Sequence, residues 1–210
     1  MSVTSRFDDV AGTLGEHHRA CAIAALDAAL RLASECFEVT DVDVCFYADA
    51  DAVIPEWAVG GYTDGPHLVR VAFDPIRVPG HNEVVSTILH ELHHALRWRH
   101  TTLDTDLADM LVSEGLAVLF ESTLVGASPN YARAPLETRH VRDAAESLAE
   151  APCDTSKWFF GGGSPPRSFG YALGLRVCEL YASATGATMR ELLVAPTADV
   201  IQQIHQIVAC

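Results

Sequence analysis

The 210-residue chain is 49% hydrophobic and 20% charged, which is enough apolar material for one packed domain and too much for a disordered chain. Its 28 Asp+Glu against 14 Lys+Arg leave a formal charge of −14, a field that repels phosphate backbones and anionic lipid surfaces, so neither nucleic acid nor a membrane is an expected partner. No basic segment followed by an apolar one opens the chain, no run of about 18 apolar residues interrupts it, and its six cysteines form no C-x-x-C pair; a cytoplasmic protein with reduced, mostly buried thiols is expected.

Residues 16–36 are Ala- and Leu-rich with apolar positions recurring at three and four, which predicts a helix. Residues 39–49 alternate Val and Phe with polar residues and predict a half-buried strand. A hairpin is expected next: residues 57–62 and 67–73 flank the turn residues Thr63-Asp64-Gly65-Pro66. From Asn82 onward the pattern is helical, with segments near 82–99, 104–124, 135–150, 168–184 and 187–194 and a short one at the C-terminus. The run PCDTSKWFFGGGSPPRS between the third and fourth of these predicts a long loop, either plain or a mobile flap. The expectation is a single α+β domain over 1–210, in which a small mixed or antiparallel sheet with a helix (1–80) forms a cleft wall and a mainly helical part (81–210) follows.

The chemistry concentrates in VVSTILHELHHALRWRH. His90, Glu91 and His94 form H-E-x-x-H, which on a helix places two imidazoles one turn apart on one face with a carboxylate beside them. Val85, Ile88, Leu89, Leu92, Ala95 and Leu96 fall on one side of that helix and the two histidines roughly opposite, so the motif is expected on the non-core face. A solvated helix face that happens to be rich in histidine would read the same way. A third ligand distinguishes the two, since catalytic zinc usually takes three protein ligands. On the following helix, expected to be capped by Thr101 or Thr102, Glu114 sits in an apolar stripe of Leu107, Met110, Leu111, Ala117 and Val118. A carboxylate there needs a cation, either a basic side chain or a metal. Glu121, on the same face two turns later, competes as third ligand but is better suited to orienting a histidine or to solvent. His17 and His18 are expected to be solvated, and His93 lies off the ligand face.

His90-Glu91-Leu92-His93-His94, then Glu114 after nineteen intervening residues, resembles the gluzincin metallopeptidases. GGYTDGPHLVRVAFDP, HELHHALRW, SEGLAVLF and SFGYALGLRVCELY, in that order, resemble a bacterial family of predicted zinc-dependent proteases of unassigned substrate. The resemblance implies a zincin-like fold with one Zn²⁺ per chain on His90, His94 and Glu114, and peptide hydrolysis by a zinc-activated water with Glu91 as general base. It further implies Tyr171 as oxyanion donor, although an amphipathic core tyrosine fits that position equally. A peptide or protein substrate is expected to pair with an edge strand, placed at 67–73, and the acidic surface would favour basic peptides. The alternative is a catalytically silent zincin-type module that binds zinc and serves regulation or protein interaction.

Overall fold

The computed structural model describes residues 3–101 and 105–208. It divides into two compact units, Met1–His100 and Thr101–Cys210, and the architecture is α+β. The motif helix belongs to the first unit, together with the α/β segments before it.

In the first unit, β1 (Thr4–Asp8), α1 (Glu16–Ala33), β2 (Asp43–Ala48), β3 (Val59–Gly65), β4 (Leu68–Phe73) and α2 (His81–Arg97) follow in chain order. The strands form a mixed sheet of order β1-β2-β4-β3, with β1 and β4 parallel to β2 and β3 antiparallel to β4. Alternation gives the sheet its buried face: Val44 and Phe46 of β2 register with Val69 and Val71 of β4, and all four are fully buried. Phe46 lies 5.2 Å from Phe7 and 5.9 Å from Phe73 by ring centroids. Helix α2 packs on β3 and β4 and buries Ile88, Leu89 and Leu92, while α1 packs along α2 with Ala22, Ala25, Ala29 and Ala33 all fully buried. From α1, Arg19 stacks its guanidinium 4.7 Å over Phe7. His18 is buried as well, its Nε2 3.1 Å from the carbonyl oxygens of Asp74 and Arg77. It is thus a structural link between α1 and the end of β4, not a solvated residue; His17 is exposed as expected.

Two expectations about the sheet change. Strand β1 lies in a segment with no visible apolar alternation. The hairpin turn shifts to Pro66-His67, so that Thr63 becomes a strand residue and Gly65, at φ 152°, ends β3 in a conformation suited to glycine. More consequentially, the 67–73 segment is an interior strand, paired with β2 on one side and β3 on the other. It has no free edge; the outer strand of this hairpin is β3, bridged at Val59 by Ile54.

In the second unit, α3 (Leu107–Val125) is followed by α4 (Thr138–Glu146), α5 (Thr155–Phe159), α6 (Phe169–Thr185), α7 (Met189–Leu193), α8 (Thr197–Val200) and α9 (Ile204–Val208), with 3-10 turns at Asn130–Ala132 and Ile201–Gln203. The N-cap of α3 is Asp106, whose side chain accepts the Asp109 N–H at 2.8 Å, in place of the expected Thr101 or Thr102; Thr102 lies outside the described residues. Gly126, in the left-handed region at φ 79°, ends the helix. Leu107, Leu111, Leu116, Trp158, Phe169, Leu173 and Val177 form the core. At its centre α3 and α6 cross glycine on glycine: a Cβ on Gly115 would fall on the Gly174 carbonyl group, and one on Gly174 would fall on the Leu111 carbonyl oxygen. The predicted loop of 152–168 contains α5, which is capped by Asp154 through the Lys157 N–H at 3.0 Å. The Gly-rich remainder is tethered by Gly162 N–H to Ser156 O at 2.8 Å and by His140 to Ser164 at 3.2 Å. No helix among the described residues is long and apolar enough to cross a membrane.

Candidate metal centre

Helix α2 is buried over most of its circumference, well beyond the one apolar stripe read from its sequence: Val84 through His93 and Ala95 through Arg97 are all buried. Its polar residues are therefore covered too, with His90 at 8%, Glu91 at 7% and His93 at 2% exposure. The helical repeat sets His90 edge-on to His94 with ring centroids 4.7 Å apart and brings their Nε2 atoms to 3.0 Å. Two imidazole nitrogens at that separation either share a proton or turn their lone pairs to a common cation. A tetrahedral zinc with bonds of 2.0–2.1 Å sets neighbouring nitrogens about 3.3 Å apart, close to what is found.

Glu91, between the two histidines, points at β3. The Thr63 hydroxyl donates to Glu91 Oε2 at 2.7 Å and lies 3.0 Å from the main-chain oxygen of the same residue. A Cβ on Gly61 would stand 2.7 Å from Glu91 Oε1 and 2.8 Å from Thr87 Cγ2. The strand thus makes room for the carboxylate by omitting a side chain and holds it with a hydroxyl. Val59 turns its carbonyl outward to accept the Ile54 N–H at 3.0 Å. By the two-residue alternation of a strand, Gly61 and Thr63 turn their own main-chain groups the same way, along the β3 edge beside Glu91.

On α3, Glu114 is half-buried, and one ligand atom from each of His90, His94 and Glu114 lies within 4.8 Å of the other two, a grouping able to hold a metal ion. Among the described residues no other group of three such side chains comes together in this way. Glu121 is neither solvated nor in that group. It is fully buried and accepts the hydroxyl of Tyr131, which comes from the 3-10 turn after α3. Burial, reinforced by the Glu121 carboxylate, holds the Tyr131 phenol well above its usual pKa. Tyr171, near the start of α6, packs edge-on to Tyr131 and to Phe159, each at 5.1 Å between centroids. The two tyrosines and the glutamates Glu114 and Glu121 thus gather in one neighbourhood, since Tyr171 and Glu114 both act electrostatically on the Tyr131 hydroxyl.

Thr63, Gly61 and Tyr131 were not among the residues expected at the site. Thr63 had the guise of a turn residue, Gly61 of ordinary strand punctuation, and Tyr131 lies in a loop without periodicity. His140, which has no motif around it, is a buried structural histidine against Phe169 at 5.8 Å.

A family profile described as a predicted Zn-dependent protease (DUF2268) matches residues 23–202. No curated protein and no solved structure gives a significant match to the chain.

Proposed function

The chain belongs to the DUF2268 family of predicted Zn-dependent proteases, and from that premise we propose that it hydrolyses peptide bonds, with His90, His94 and Glu114 holding one zinc ion and Glu91 serving as general base. The observation that carries this reading is the convergence of two imidazoles and one carboxylate beside a second, separately held carboxylate. The donor set fits the metal: two histidines and a glutamate are a known catalytic zinc combination. A zinc ion there would supply Lewis-acid polarisation of the scissile carbonyl and acidify a water molecule.

The remaining work falls to the chain. Glu91 takes the proton of the attacking water on its carboxylate and returns it to the departing amine. Its place on α2 between the two histidines, with the side chain turned to β3, suits it to proton transfer rather than ligation. Tyr171 is the residue we assign to the developing oxyanion, as a hydroxyl at the start of a helix beside the Glu114 neighbourhood. The peptide is placed along the outer edge of β3 at Gly61 and Thr63, where main-chain groups can add an extended strand with little demand on side-chain sequence.

The test is metal content together with turnover. Stoichiometric zinc should be found in the purified protein and lost from His90→Ala and Glu114→Ala. Glu91→Gln should keep the zinc and lose peptide hydrolysis by about 10²- to 10⁴-fold. A Glu91→Gln variant that cleaves a peptide library as fast as the parent sinks the catalytic assignment.

A further inference from the structure

We propose that Thr63 is a positioning residue for Glu91: its hydroxyl, presented from β3, holds the carboxylate in the one orientation from which it can take a proton. The inference rests on the peptidase reading and adds a residue to it.

Three observations support it. The contact is buried and short, with Thr63 at 7% and Glu91 at 7% exposure and 2.7 Å between Oγ1 and Oε2. It is also rigid at its source. A β-branched threonine in a strand is restricted in χ1, and the register of β3 on β4 pins Thr63 opposite Val69, directly before the bulge that separates it from Gly65. Finally, the same strand lies close against the glutamate at Gly61, where a Cβ would stand 2.5 Å from Glu91 Cγ and 2.7 Å from Oε1. A glutamate is a long side chain with several rotatable bonds, and a base must sit within hydrogen-bond reach of the proton it abstracts. One strand thus supplies both the space and the donor that fix it.

A purely structural reading of Thr63 is that the hydroxyl merely satisfies itself on the Glu91 main-chain oxygen at 3.0 Å. Kinetics of Thr63→Val and Thr63→Ser on the zinc-loaded protein separate the two. Thr63→Val is expected to lower kcat by about tenfold to a hundredfold, with KM and zinc content unchanged. Thr63→Ser, which keeps the donor, should recover most of the loss. A Thr63→Val variant with the parent's kcat, or a serine variant as slow as the valine one, overturns the proposal. Thermal melts give a readout independent of turnover: Thr63→Val should lower the melting temperature more in the parent than in a Glu91→Ala background, and equal shifts overturn the proposed contact. A parent protein that binds zinc yet cleaves nothing in a peptide library overturns the peptidase reading and the positioning role with it. A parent that cleaves while Thr63→Val keeps its kcat overturns the positioning role alone.

Discussion

Each unit buries a helix carboxylate under a hydroxyl, but the two arrangements differ in kind. In the first, Glu91 meets a short, stiff threonine on a strand, and the neighbouring Gly61 is exposed. In the second, Glu121 is fully enclosed and meets the long side chain of Tyr131, whose ring is packed on Tyr171. The wall beside Glu91 is an exposed glycine, while Glu121 is sealed under aromatic rings. Burial alone therefore does not separate the two carboxylates; what surrounds the donor does, and the proposed reacting role goes with the more open of the two.

The sharpest way to break the second arrangement is Gly115→Ala. The added methyl would fall on the Gly174 carbonyl group, a backbone atom that cannot swing aside, and such overpacking should cost about 3 kcal/mol or more. Chemical denaturation would show a lower midpoint or the loss of a cooperative transition. Tyr131→Phe tests the enclosed pair more gently. Removing one donor from a buried carboxylate should cost about 2 kcal/mol, so this variant is expected to lose stability where Thr63→Val loses turnover. If Tyr131→Phe instead slows kcat and leaves the melting temperature untouched, the contrast between the two carboxylates fails.

A third carboxylate sets the scale for the other two. Asp74 accepts the N–H groups of Ile76 and Arg77 at 2.9 and 3.0 Å and the Arg77 guanidinium at 2.7 Å, which lower its pKa from 3.8 to about 2. Because the folded value lies below the unfolded one, its contribution is present in full above about pH 4 and is lost as the pH falls toward 2. Asp74→Asn should flatten that part of the acid limb in a series of melts and leave neutral-pH hydrolysis unchanged, the smallest effect of the set.

The parts that were legible in the sequence are those governed by local periodicity. The spacing of Val85, Ile88, Leu89 and Leu92 marks α2, and H-E-x-x-H puts His90 and His94 on a common side because four residues make about one turn. The hairpin was legible too, through its alternation and its Gly-Pro turn. Which of its strands lies inside the sheet was not, because that depends on pairing between β2 and β4 across twenty-five positions from Asp43 to Leu68. The same holds for the Thr63 contact: nothing within a few residues of Thr63 hints that Glu91, 28 positions on, lies above it. Asp154 did offer a cap signal for α5, but the glycines and prolines after it dominate the local pattern. Burial excludes the solvent alternative for Glu121, and a helical wheel registers the face of a residue but not the tyrosine that a later turn brings to it.

The position of the Thr63 oxygen between two acceptors on one residue has a dynamic consequence. A hydroxyl has a single proton to give and lone pairs to receive another. While Glu91 is ionised, that proton points to Oε2, 2.7 Å away. Once the carboxyl has been protonated it can donate back to Oγ1, and the threonine proton can swing to the main-chain oxygen at 3.0 Å. Only a hydrogen has to rotate, so the contact between Thr63 and Glu91 can persist in either protonation state of the carboxyl without any heavy atom leaving its place.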